Sequence, residues 1–200
     1  MVTDYPSKPI ANPAPLGLSG FALTTFVLSL VNTGVATDIP NVVVGLAFFY
    51  GGLVQLLAGM WEFKCGNVFG ATAFSSYGGF WLSFAAILSP SFAIGSAYTD
   101  GKLNTALGFY LLGWTIFTVI MTLGTLKAAR AMFALFFFLS ITFLLLTIGH
   151  FASATIVNNV AGWFGLVTAF IAWYNAAAAI ITRESSYIVL PVGHVKAEHA

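Results

Sequence analysis

Apolar stretches of about 20 residues, the length that crosses a bilayer as a helix, alternate along this chain with short polar connections. Six such stretches stand out: Leu16–Val35, Asn41–Trp61, Val68–Leu88, Thr105–Leu126, Met132–Phe151 and Ala161–Thr182. The pattern predicts an all-α membrane protein with six transmembrane helices in one bundle per subunit. Residues 16–182 form the transmembrane transport domain on this reading. Residues 1–15 and 183–200 are expected to be mobile cytoplasmic tails. The first span opens at Asn12-Pro13-Ala14-Pro15-Leu16-Gly17-Leu18. Two prolines just ahead of a helix help to start it, and Asn12 can accept from free backbone N–H groups there.

Polar positions recur within the spans. The second carries Gly52, Gln55, Gly59 and Glu62; the fourth Thr115, Thr118, Thr122 and Thr125; the sixth Thr168, Ala172, Asn175, Ala179 and Thr182. Spacings of three and four residues set each group on one helical face. Gly66-x-x-x-Gly70 and Ala47-x-x-x-Gly51 have the form of close helix contacts. Such stripes serve either packing or a lined conduit. Gln55 and Asn175 at depth favour a conduit, because packing alone does not require amides there.

Composition strengthens the membrane assignment. Of 200 residues, 59% are hydrophobic and only 6% charged, against about 25% charged in soluble domains. The net charge of +1 leaves no nucleic-acid footprint. Cys65 is the one cysteine, which rules out an intrachain disulfide and a cysteine metal cluster. Neither a metal nor a cofactor is expected.

The charges fall in tails, connections or span ends. Lys8, Lys64, Lys127, Arg130, Arg183 and Lys196 lie on one side, and only Lys102 on the other. The positive-inside rule then places both termini in the cytoplasm. The deepest acid, Glu62, sits near the cytoplasmic end of span two. It is either an interfacial charge paired with Lys64 or Lys127, or a gate or proton-linked group. A conduit without fixed charge suits a neutral or singly charged small solute. His150 ends span five and reads as an interfacial residue, with a pH-sensing role the weaker reading. His194 and His199 lie in the tail. No acid or Ser/Cys nucleophile accompanies these histidines at a catalytic spacing, so the chain does not read as an enzyme. A single Asn-Pro-Ala outside the first span excludes a water channel built on two such half-helices.

The seven-residue Asn12–Leu18 motif resembles the signature of the acetate uptake transporter family, the GPR1/FUN34/YaaH family. The resemblance continues through Gly51-Gly52-x-x-Gln55-x-x-Ala58-Gly59-x-x-Glu62-Phe63 and through Gly66-Asn67 to Phe80-Trp81. Further on it includes Gly124-Thr125-Leu126-Lys127-x-x-Arg130, Ala161-Gly162-Trp163 and Leu190-Pro191-x-Gly193. It implies a homo-hexameric ring in the plasma membrane, with a pore in each subunit. It also implies proton-coupled uptake of acetate and related short carboxylates, including succinate. The family's hydrophobic constriction maps to Phe21, Tyr77 and Leu139. Asn12, Thr24, Thr25, Gln55, Thr72 and Asn175 are candidates for binding substrate or lining its path. The alternative is a channel for small neutral solutes such as urea or ammonia.

Overall fold

The computed structural model describes residues 10–193. Lys8, Lys196, His194 and His199 lie outside the described residues. Helix α1 spans Ala14–Asn32, and the second span is built from α2 (Asn41–Phe48), a π-helical segment (Phe49–Val54) and α3 (Gln55–Lys64). Four helices follow: α4 (Val68–Leu88), α5 (Leu103–Leu123), α6 (Arg130–Phe151) and α7 (Thr155–Ile180). The six spans are each long and apolar enough to cross a membrane. α1 packs along α7, α5 along α6, and α6 along α7, while α4 lies against the second span. Lys64, Lys127, Arg130 and Arg183 gather at one end of the bundle, called here the basic end.

Local chemistry sets the boundaries. Pro13 caps α1, Pro15 follows in its first turn, and Asn12 Oδ1 accepts from the backbone N–H of Ala14 at 3.0 Å. α3 stops at Gly66, whose φ of +75° is the left-handed conformation glycine tolerates best. Gly66 is therefore a turn residue and not half of a helix-packing pair, a correction to the Gly66–Gly70 expectation. Asn67 then caps α4, accepting from Gly70 N–H at 3.1 Å.

Two further differences are informative. The sixth span starts at Thr155, six residues ahead of the expected Ala161. Asn158 and Asn159 look like loop residues, but Asn159 has a tertiary partner. In the orientation that satisfies its amide, its nitrogen donates to the Asn32 carbonyl at 3.1 Å and to the Thr155 carbonyl at 3.0 Å. The C-terminal segment is also tied down as far as Gly193. The N–H groups of Arg130 and Ala131 donate to the carbonyls of Gly193 and Val192 at 2.9 and 3.1 Å. The Tyr174 hydroxyl donates to Pro191 O at 2.6 Å. This satisfies free N–H groups at the α6 start, so residues 191–193 are docked where a mobile tail was expected.

Close approach of α1 and α7 depends on glycine. A Cβ on Gly162 would lie 2.6 Å from the Thr33 nitrogen and 2.8 Å from the Asn32 carbonyl carbon. By contrast, Gly113 on α5 has open space around it. Gly162→Val should lower stability in detergent by about 2 kcal/mol through overpacking, while Gly113→Ala should leave the melting temperature within a degree or two. Comparable melting of the two variants would show that α1 and α7 do not need this contact.

A closed aromatic constriction between two cavities as candidate functional site

The centre of the bundle is aromatic. Tyr77 on α4 meets Phe21 on α1 at 5.8 Å between ring centroids, Phe117 on α5 at 5.4 Å, and Phe136 on α6 at 6.3 Å. Phe143 stacks on it at 6.5 Å. The Tyr77 hydroxyl shares a 2.9 Å hydrogen bond with the Thr118 hydroxyl. That bond fixes the ring.

Towards the basic end lies a cavity of about 70 Å³, room for a few water-sized groups. Phe21, Tyr77 and Leu139 close its inner end, and Ala14, Leu18, Phe74 and Phe136 add apolar wall. Gln55 and Glu62 also border it, each only 1% exposed. Asn67 positions the acid: its Nδ2 donates to Glu62 Oε2 at 2.7 Å while its Oδ1 caps α4. Glu62 Oε1 and Gln55 Oε1 have no hydrogen-bond partner among the described residues. Lys64 and Lys127 do not pair with Glu62, since the ion pair found among the described residues joins Lys102 and Asp100. Gly70 leaves the space this arrangement needs, because a Cβ there would come within 2.9 Å of Glu62 Cδ.

Away from the basic end lies a second cavity of about 540 Å³. Asn32, Asp38, Phe80, His150, Asn158 and Asn159 border it, with apolar residues of α1, α5 and α6. Phe80 meets Phe143 edge-to-face at 5.3 Å, and Phe143 stacks on Tyr77. An aromatic layer of Phe80, Phe143 and Tyr77 therefore separates the two cavities.

The structure brings Phe21, Tyr77, Leu139, Gln55 and Glu62 to one cavity. The other candidates do not border this cavity. Asn12 is exposed and is spent on the start of α1. Thr24 donates to the Gly20 carbonyl at 2.8 Å and fills the space beside Gly51. Thr25 is buried and Thr72 half-buried, but neither borders this cavity. Asn175 Nδ2 donates to the carbonyls of Ala131 and Ile171 at 3.1 and 2.9 Å, fastening α7 to α6.

The threonine stripe of α5 is likewise a packing device. Thr115 bonds Thr147, and Thr122 bonds Ser140, at 2.9 and 2.8 Å. Interhelical hydroxyl pairs of this kind hold membrane helices together. Two features escaped the sequence reading. The π-helical turn was hidden inside a uniformly apolar span, with Gly51-Gly52 the one local cue. The outer cavity draws on five spans and a connection, which no single stretch reveals. Among the described residues no group of three His, Cys, Asp or Glu side chains could hold a metal ion.

A profile of the GPR1/FUN34/yaaH family matches residues 1–197. The chain is 57% identical to ammonia transport outward protein 2 of Saccharomyces cerevisiae, across 92% of this chain and 67% of that protein. It is 43% identical to the succinate-acetate/proton symporter SatP of Escherichia coli, across 92% of this chain and 96% of SatP. It spans about two thirds of the length of its yeast relatives. A solved structure of the bacterial acetate channel SatP superposes with a TM-score of 0.82 at 42% identity. The match covers 92% of this chain and all of that one.

Gly70→Ala tests the packing that seats Glu62. The added methyl should displace the Glu62 carboxyl or break its bond to Asn67, and lower stability by about 1–3 kcal/mol. In Gly70→Ala/Glu62→Ala the loss should be partly restored, because one clashing group is gone while Asn67 Nδ2, 2.5 Å from the added Cβ, remains. A double mutant no more stable than Gly70→Ala would place the carboxyl elsewhere.

Proposed function

The chain belongs to the GPR1/FUN34/yaaH family, and from that premise we propose that it conducts acetate and related short carboxylates across the plasma membrane. It is an integral membrane protein with six spans. The observation that carries the reading is the inner cavity. Two polar side chains with unpartnered oxygens, Gln55 and Glu62, sit under an apolar constriction of Phe21, Tyr77 and Leu139. A ring of this kind excludes hydrated ions. In the cavity beneath, a small carboxylic acid donates its O–H to an unpartnered oxygen of Gln55 or Glu62, whereas its carboxylate accepts from the Gln55 amide. The names of SatP, as symporter and as channel, support the substrate class.

Glu62 is the proton-linked group in this proposal. An isolated carboxylate away from water costs several kcal/mol, and no cation among the described residues pairs with it. When a substrate carboxylate enters the same cavity, two like charges would face each other. One proton shared between them removes that repulsion, which links substrate entry to proton entry. The working unit is a homo-hexamer with both termini cytoplasmic. The orientation rests on the basic end, where Lys64, Lys127, Arg130 and Arg183 gather. The names of the relatives, symporter and channel, favour transport over catalysis.

A second reading, a path for ammonia, is favoured by the name of the yeast relative. An apolar constriction also admits a neutral molecule. Purified protein in liposomes separates the two. Labelled acetate should enter faster than in empty liposomes, and faster still when the outside is acidic. Ammonia-driven internal alkalinisation should match the empty control. The reverse pattern would favour the ammonia path, and equality with empty liposomes for both solutes would sink both readings.

Two variants locate the path and its proton. Phe21→Ala should change acetate rate or selectivity by about tenfold or more, since it removes one wall of the constriction. Glu62→Gln should keep acetate equilibration but abolish accumulation driven by a pH gradient. Undiminished accumulation in Glu62→Gln would move proton coupling to another group.

A further inference from the structure

His150 is the one imidazole among the described residues, and the transport proposal gives it no role. It is half-buried near the end of α6 and borders the 540 Å³ outer cavity. Its Nδ1 is buried and has no hydrogen-bond partner in the protein. Asn158, on α7, borders the same cavity, and its Oδ1 is also buried without a partner. The two are neighbours: the Asn158 amide packs on the backbone of Gly149, the residue before His150. Gly149 must lack a side chain for that contact to exist. Buried polar atoms in native structures are nearly always paired, so two unpaired ones on one cavity wall point to a ligand.

The charges around the imidazole are few. Asp38, in the connection after α1, borders the cavity, but it is exposed and makes no ion pair with His150. The cavity walls from α1, α4, α5 and α7 carry no ionisable side chain. Tyr110, on α5, donates to the Phe80 carbonyl and shares a bond with Ser83. Lys102 and Asp100, ahead of α5, pair with each other at 3.0 Å. The protonated imidazole is therefore the one cation available on the walls of this cavity. A short carboxylic acid is already ionised at about pH 5.5 and above.

We propose that His150 and Asn158 form a carboxylate-capture subsite in the outer cavity that operates when His150 is protonated. The proposal rests on the carboxylate path argued above and adds a step ahead of the aromatic layer. The imidazolium holds a carboxylate oxygen, and the Asn158 amide can rotate to donate to the other. Loss of the imidazole proton to water in the outer cavity releases the anion onto the Phe80–Phe143–Tyr77 layer, beyond which lies the inner cavity. The subsite thus sets affinity for the anion on the outer side, whereas Glu62 sets coupling on the inner side.

Acetate flux is measured in liposomes with equal pH on both faces, which removes any gradient acting through Glu62. For the unmodified protein, half-saturating acetate should rise about tenfold between pH 5.5 and 7.5, the scale of one unit charge at close range. In His150→Asn it should be high and vary less than about twofold. In His150→Arg it should be low at every pH. A second measurement does not depend on transport. The ring signal of His150, assigned by its loss in His150→Asn, is titrated by NMR with and without acetate. A ligand that binds the protonated ring must raise its titration midpoint. A midpoint that acetate does not move, or a His150→Asn protein with the pH dependence of the unmodified chain, overturns the subsite. Acetate flux equal to that of empty liposomes, with a midpoint that does move, would overturn the transport reading and leave the subsite standing.

Discussion

In hydrocarbon a polar group has no solvent to fall back on, and this constraint organises the whole bundle. The threonines show it most clearly. Thr115 pairs with Thr147, Thr118 with Tyr77, and Thr122 with Ser140, while each of Thr115, Thr122 and Thr142 also donates to a carbonyl of the preceding turn. Asn175 does the same between α7 and α6. Polarity inside a span is thus mostly structural. Where so much is paired, the exceptions stand out: Gln55 and Glu62 have unpartnered oxygens on one cavity, and His150 and Asn158 have unpartnered atoms on the other, with Thr25, Ser75 and Trp81 the remaining cases among the described residues.

The same scarcity explains the geometry of the second span. Gly51 and Gly52 fall in its π-helical segment, and Gly51 lies against Thr24 of α1. A Cβ on Gly20 would in turn lie 2.7 Å from the Tyr50 carbonyl oxygen. The extra residue of a π turn rotates everything after it relative to an α-helix. Gln55 is the first residue beyond that turn, and Glu62 follows two α-helical turns later on the same face. Close glycine contact with α1 and the rotation together aim both side chains at the cavity that Phe21 closes.

The number of spans and the asymmetry of basic charge were legible in the sequence because each rests on a single, additive property. Apolar length alone marks a span, and no tertiary contact had to be known. The features that were misread depend on partners from distant segments. Asn159 looks like a loop residue until Asn32 is placed beside it. Thr118 looks like pore lining until Tyr77 turns out to hold its hydroxyl. Residues 191–193 look like free tail until the open N–H groups of the α6 start are counted. Phe21, Tyr77 and Leu139 were drawn together by family motifs, since nothing in 20 phenylalanines distinguishes one by periodicity.

The Asn12–Leu18 motif illustrates how position and role separate. Asn12 was a candidate to touch substrate, yet its side chain is used on the N–H of Ala14. What the motif contributes is register. Pro13 and Pro15 fix the residue at which α1 begins, and Ala14 and Leu18 become wall of the inner cavity. Gly17 admits the Phe74 ring, with a Cβ there only 2.8 Å from its carbons. Phe21 lies one turn further in, four residues after Gly17, and so reaches Tyr77. A one-residue slip at the start would rotate α1 by about 100° and carry Phe21 off the constriction. The motif therefore acts on the path through the helix it starts, and an unbonded Asn12 would misplace an aromatic ring nine residues away.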